Sequence, residues 1–531
     1  MFRHWFFAIA AVLVALIAVI AVFWPPVLWS LIIIAPLVLL GLYDSVQTRH
    51  TIRRNFPLIG HLRYLFESLR PEIQQYFIEL NTDAYPIERE VRSLVYQRAK
   101  GELETQPFGT QHDVNAIGYE WVAHALVETQ RLEHDPRVEI GTGRCAKPYS
   151  ASHLNISAMS YGSLSPHAIE ALSRGARMGN FAHNTGEGAI SPYHLRGGGD
   201  LIWQIGTGYF GCRNSDGGFD DAVFSDNASQ DHVRMIEIKL SQGAKPGHGG
   251  VLPGVKVNKE IAEIRGVPQG QTVVSPPRHS TFNSPKGLLE FVEKLREHSG
   301  GKPVGFKLCI GRRVELLGIC KAIIETGMCP DFITVDGGEG GTGAAPLEFS
   351  NSVGMPARDA WAFAHNALVG AGLRDRVKII ASGKIMTGFH MIRAMALGAD
   401  LCNSARGMML ALGCIQALRC NNDTCPTGVA TQNKALYKGL VIEDKAPRVQ
   451  RFHQATISSM LELLSAIGVD HPSRITPDLI FRRISEHRIS TFEEAFEFLD
   501  PDVLVNNGPA PDLWRREWER ANADSFAVAP A

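Results

Sequence analysis

Apolar positions along this chain fall into three regimes. In the first, no charged side chain occurs from Trp5 to Tyr43, and two apolar runs, Trp5–Phe23 and Val27–Leu42, are parted by Trp24-Pro25-Pro26. Each approaches the roughly 20 residues that a helix needs to cross a bilayer. Aromatic residues stand at the edges, Arg3 precedes the pair, and Arg49, Arg53 and Arg54 come after it. The pattern predicts a transmembrane helical hairpin in the cell membrane, with both ends and the catalytic domain in the cytoplasm. A cleaved signal peptide fits less well, because no small-residue cleavage site follows the first run and a second run comes at once. Pro36 predicts only a mild kink.

The second regime, residues 46–140, mixes aromatic and charged residues at helical spacing (Leu62–Leu69, Glu72–Leu80, Ile87–Lys100) and reads as a mostly helical cap or linker. From about residue 150 short β-rich runs alternate with helical stretches. Eight such runs occur: Leu154–Met159, Phe181–Asn184, Leu201–Ile205, Met235–Leu240, Val304–Leu308, Phe332–Val335, Val377–Ala381 and Asp400–Ser404. Alternation of this kind implies a parallel sheet, and eight units imply closure into a (β/α)8 TIM barrel, an α/β fold. Residues 446–467 predict a further helix, followed by a less regular tail. The expected organisation is a hairpin at 1–45, a helical cap at 46–140, the barrel with a cysteine loop at 141–435, and a C-terminal helical segment and tail at 436–531.

A formal net charge of -1 with no basic stripe argues against nucleic acid as a partner. Nine cysteines in 531 residues do not make a disulfide scaffold. Three of them, Cys414, Cys420 and Cys425, stand in one run from Gly413 to Gly428, and Pro426 directly follows the last. Thiolates on a compact Gly/Pro-turned loop suit an iron–sulfur cluster, and three ligands favour a 3Fe-4S centre. Structural zinc prefers four ligands in closer pairs, and the run offers no obvious fourth. Inert thiols are the remaining alternative.

Glycines crowd the C-terminal ends of the later strands. Gly338, Gly340 and Gly343 formally satisfy G-x-G-x-x-G, but the loop runs into Pro346 rather than a helix, so a dinucleotide site is rejected. Phosphate is expected instead at the loops after strands seven and eight, Ala381–Lys384 and Ser404–Gly407, where Lys384 and Arg406 add charge. Lys239, Gln242, Lys245 and Lys307 lie on or beside strands, and Glu187 follows the second. A cation at Lys307 is placed to face the electron-rich edge of a reduced flavin. A carboxylate at Glu187 is placed to orient a substrate or exchange a proton with it. For each residue alone, a structural ion pair is an equal reading.

Several ordered stretches resemble the FMN-binding synthase domain of glutamate synthases: Ile156–Ser165, Asn184–Gly188, Gln242–Gly247 with Gly249-Gly250 and Leu252–Gly254, Ser275–Pro277 with His279, Gly340–Gly343, and the cysteine run ending Gly428–Gln432. The resemblance spans about residues 150–470, and the N-terminal part is similar to the stand-alone, membrane-bound subgroup. It implies FMN on the barrel rim, a 3Fe-4S cluster feeding it electrons, and reduction of an imine of 2-oxoglutarate to L-glutamate. Met159, Ser160, Gln204, Lys307, Gly338, Gly383 and Gly407 would contact FMN. Glu187, Gln242 and Lys245 would hold or protonate the 2-oxo acid. The chain departs from the family in having no amidotransferase domain, no long β-helix and no pyridine-nucleotide domain. His248 replaces the usual Glu and Tyr209 the usual Arg. Ammonia is therefore expected from a separate glutaminase, and electrons from a ferredoxin or a reductase subunit. Two alternatives remain: a related enzyme using another amino donor, of the N-methylglutamate synthase type, and a membrane electron-transfer subunit without turnover.

Overall fold

Eight short strands close into a barrel: β1 Leu154–Ile156, β2 Ala182–Asn184, β3 Asp200–Ile205, β4 Val233–Lys239, β5 Val304–Leu308, β6 Phe332–Asp336, β7 Lys378–Ser382 and β8 Leu401–Ser404. All pairings are parallel, neighbours in sequence are neighbours in space, and β8 pairs with β1. Each of the eight runs expected from the sequence overlaps one of these strands. Strands covered on both faces read as continuous apolar runs, and β5 and β6 are buried at every position. The computed structural model describes residues 2–527. It divides into two units, one ending at Arg89 and one beginning at Glu90, so residues 90–140 cluster with the barrel.

Local chemistry starts and stops the outer helices. Ser165, Ser284 and Thr387 each accept a backbone N–H at a helix N-cap, and Pro166 and Pro285 occupy first turns, where a missing N–H costs little. Asn180 and Gly327 end two helices in the left-handed conformation. The helix expected at 446–467 spans Ile442–Ala466 and packs against Pro166–Gly179. Gly175 permits the approach, since a Cβ there would lie 2.7 Å from Val449.

An antiparallel hairpin, Val138–Ile140 with Tyr149–Ala151, plugs the N-terminal mouth of the barrel. Its Ile140, Tyr149 and Ala151 pack with Ala182, Ile202, Met235, Phe332, Ile380 and Leu401, residues in the N-terminal parts or middles of their strands. Emptying a site such as Phe332 costs about 3–5 kcal/mol in cores of this kind. With that end sealed, polar chemistry is confined to the C-terminal rim.

Two expectations need correction. Residues 101–140 are not helical: Gly101 ends the helix Arg89–Lys100 at φ +74, and Pro107, Gly109, Gly118 and Pro136 break up the chain beyond it. Nor is the tail merely irregular. Ile480–Arg483 pairs with both Glu120–Val122 and Ile489–Thr491, and Asp512–Arg520 is helical. Glu120, nearly buried, ion-pairs with Arg358 and with Arg393 at 2.9 Å, tying this small sheet to the helices after β6 and β7.

The N-terminal unit contains two helical spans long and apolar enough to cross a membrane, Arg3–Phe23 and Pro25–Val46, and its first two α-helices are Phe2–Phe23 and Leu31–Val46. The second starts later than its apolar run because Pro25 and Pro26 lack N–H donors, and Pro25–Ser30 forms a 3-10 turn instead. The two pack antiparallel, with the ring of Phe6 over Gly41. Thr51–Asn55, Gly60–Ile73 and a π-turn, Gln74–Ile78, come next along the chain.

Candidate active site

The strand ends surround an open cleft. Ser157-Ala158 follows β1, Gln242 follows β4, Lys307 projects from β5, and Gly340-Gly341 lies beyond β6. Ser382–Met386 and Asn403–Arg406 bring in the last two strand ends. Gln242, Lys307 and Gly383, all expected at the site, thus line one cleft, together with Lys384 and Arg406. Met159, Ser160, Gln204, Gly338, Gly407, Glu187 and Lys245 are not among its lining residues. Met159 and Ser160 pack on Gly186, Gly338 lies against the Gly354 carbonyl, and Gly407 lies against the Ser404 hydroxyl and Phe452.

Beneath the cleft is a fully engaged polar network. Lys307 Nζ lies 3.2 Å from Asp336 Oδ2, which also accepts the Gly243 N–H at 2.9 Å. Glu237, fully buried in β4, accepts from Asn184 Nδ2 at 2.8 Å, Gln204 Nε2 at 2.6 Å and Thr334 Oγ1 at 2.6 Å. Burial alone would lower the Lys307 pKa, but Asp336 and Glu237 raise it above the ordinary lysine value, so a permanent cation sits under the rim. Sequence reasoning missed Glu237, since a lone Glu within a strand carries no spacing signal.

Beside β4 a second constellation gathers. Glu187 Oε1 lies 2.7 Å from Lys239 Nζ, and a Cβ at Gly206 or Gly250 would collide with its carboxylate. Burial would raise the Glu187 pKa, yet Lys239, Arg265 and Lys245 hold it below the usual carboxylate value. Lys245 is pushed down to about 8 by burial and by Lys239, with Glu187 opposing, and its Nζ donates to the Ala344 carbonyl at 3.1 Å. Arg265 is a further member that sequence reasoning missed. It ends the helix Lys259–Arg265 twenty positions beyond Lys245, is buried, and donates to the Tyr161 carbonyl at 2.8 Å. Its Nε has no hydrogen-bond partner among the described residues. Three cations against one carboxylate leave an excess of two positive charges.

Tyr209 and His248 serve the surrounding loops. The Tyr209 hydroxyl accepts the backbone N–H groups of Ser280 at 3.0 Å and Thr281 at 3.2 Å, while the His248 ring meets Phe349 edge-on.

Close backbone approach holds the rim together. A Cβ on Gly243 would lie 1.9 Å from the Gly337 carbonyl oxygen and 3.0 Å from Gly340 Cα. Gly243→Ala must therefore part the loops after β4 and β6. Overpacking of this kind costs about 1–3 kcal/mol. A lower melting temperature together with weakened cofactor retention is expected, and a melting curve with flavin quantitation checks it.

All nine cysteines are free thiols. Cys414 is pushed up to about 12 by burial, opposed by the Gln416 N–H and reinforced by Cys420 and Cys425. Burial and Cys425 also raise Cys420, opposed by Lys256. Lys256, 2 % exposed, donates from Nζ to the Ala430 carbonyl at 2.8 Å and to the Ser163 carbonyl at 3.2 Å. Among the described residues no group of three His, Cys, Asp or Glu side chains is placed to hold a metal ion.

Known proteins share this outline. Residues 120–470 match the family model described as the conserved region in glutamate synthase. The chain is 37% identical over 496 residues to the glutamate synthase large subunit-like protein YerD of Bacillus subtilis strain 168, covering 85% of this chain and 94% of that one. It is 35% identical over 320 residues to an archaeal glutamate synthase [NADPH] of Methanocaldococcus jannaschii, covering 59% of each. Among solved structures, a mutant flavocytochrome b2 with pyruvate bound aligns over 84% of this chain and 92% of that one, a distant likeness with a TM-score of 0.42 and 14% identity. The family match over residues 120–470, and a relative matched over nearly its whole length, show that the chain is an enzyme of the glutamate synthase family of oxidoreductases.

Proposed function

We propose that this enzyme binds FMN in the rim cleft and reduces the imine of 2-oxoglutarate to L-glutamate. The observation that carries the reading is the buried excess of positive charge at Lys239, Lys245 and Arg265 around Glu187, which suits a substrate bearing two carboxylates. The cleft suits the cofactor. Gly340, Gly341 and Gly383 expose backbone, Lys384 and Arg406 supply charge for a phosphate, and Lys307 stays cationic under the position of an electron-rich ring. FMN bound there supplies a hydride to the substrate's imine carbon.

The chain's own groups do the rest. Lys245 and Arg265 bind carboxylate oxygens. Glu187, held ionised, stabilises the protonated iminium nitrogen, so hydride arrival yields the neutral amine without a further proton. Lys307, Asp336 and Glu237 fix the floor, with Glu237 orienting the Gln204 amide. Because Lys245 carries its charge below about pH 8 and loses it above, KM for 2-oxoglutarate is expected to rise as pH passes through that value. A flat KM from pH 6 to 9 would remove Lys245 from carboxylate binding.

Cys414, Cys420 and Cys425 would hold a 3Fe-4S cluster in this reading, and the cluster supplies single electrons. The run of three cysteines ending in Pro426, with buried Lys256 to offset negative charge, supports it. The electron donor is a ferredoxin or reductase subunit, and ammonia comes from a separate glutaminase. The two apolar helices anchor the enzyme in the cell membrane, with the catalytic unit in the cytoplasm.

Chemically reduced protein given 2-oxoglutarate and ammonium is expected to form L-glutamate, and absence of glutamate contradicts the proposal. Replacing ammonium by methylamine tests the alternative amino donor. The intact charge constellation argues against a subunit without turnover.

A further inference from the structure

The helix Gly60–Ile73 and the π-turn after it expose an apolar stripe. Leu62 is 49%, Leu65 50%, Phe66 61%, Leu69 42%, Ile73 38% and Phe77 84% exposed. Their spacing of three and four residues places them on one face about 120° wide, at roughly 100° per residue. Arg63 and Arg70, seven residues apart, lie along one shoulder of that face, Glu72 stands at its other edge next to Leu65, and Glu67, Ser68 and Gln74 lie away from it.

The start of this helix is pinned. Asp44, fully buried near the end of the second apolar helix, accepts the Leu58 N–H at 3.0 Å, and both of its carboxylate oxygens lie 2.9 Å from His61 Nε2. Arg53 stacks over Tyr64 at 4.5 Å. The first turn of the amphipathic helix is therefore fixed at the point where the apolar hairpin ends. Between residues 47 and 78 there are five arginines and two acidic residues, Glu67 and Glu72.

We infer that Gly60–Ile78 is an interfacial helix that lies in the headgroup layer of an anionic bilayer, a second membrane contact beyond the hairpin. The inference rests on reading the hairpin as membrane-spanning. The apolar face inserts at the acyl boundary, and the arginine stems reach along it so that their guanidinium groups meet lipid phosphates. Continuity with the hairpin and the surplus of arginine select lipid over a protein partner as the occupant.

The full-length protein in phosphatidylglycerol-containing nanodiscs tests this, with a photo-crosslinking phenylalanine placed singly at position 66, 69, 68 or 16. Positions 66 and 69 are expected to form several-fold more lipid adduct than 68, and position 16, on the first apolar helix, to react with lipid throughout. Pure phosphatidylcholine and the Arg63→Gln/Arg70→Gln variant should each reduce the adduct at 66. Adducts at 66 and 69 to protein alone, or none, with lipid adduct at 16, overturn the interfacial helix and leave the hairpin standing. Equal lipid adduct at 68 also overturns it, because the helix would then be immersed. Absence of lipid adduct at 16 overturns the hairpin reading and this inference with it.

Discussion

Glu187→Gln is expected to lower kcat/KM for glutamate formation by about 10²–10⁴-fold, the usual span for removing a group that acts on the reacting atoms. The carboxylate lies 2.7 Å from Lys239 and faces Lys245 and Arg265, so the variant removes the sole negative charge of that constellation. The same change leaves Lys239, 7% exposed, without its partner, and breaking such a pair costs about 3–5 kcal/mol. Activity and stability therefore fall together in the single variant. Glu187→Gln with Lys239→Met removes both charges and is expected to recover most of the melting temperature while activity stays low. Recovery of activity along with stability would reduce Glu187 to a structural role.

Cys420→Ser is expected to release essentially all iron while FMN stays bound. None of the three cysteines lines the rim cleft proposed for FMN. Iron analysis and the visible spectrum of the variant check this. Iron content equal to the parent protein would refute the cluster assignment. Loss of both cofactors would show instead that the run supports the rim, since a Cβ on Gly343 would lie 3.2 Å from Cys420 Cβ.

The barrel is readable in the sequence because each strand is a continuous apolar run bounded by turn residues, as at Val304–Leu308, which is buried at every position. The helical expectation for residues 101–140 fails because it extends the spacing seen up to Lys100 across Gly101 and Pro107, where the chain instead reaches a strand at Glu120. Gln242, Lys307 and Gly383 are legible as polar or glycine positions at strand ends, and the fold brings them into one cleft. Arg265 and Lys256 are not. Each acts from outside the strands, and only the folded chain places Arg265 against the Glu187 constellation and Lys256 against the cysteine run. A cation so placed leaves no periodicity behind it.

The most direct test is one anaerobic turnover monitored by visible absorbance. Detergent-solubilised protein is photoreduced, mixed with 2-oxoglutarate and ammonium, and quenched for product analysis. Reappearance of the oxidised flavin band with one glutamate formed per two electrons is the predicted result. A flavin that stays reduced under these conditions, or protein that carries no flavin, would contradict the account.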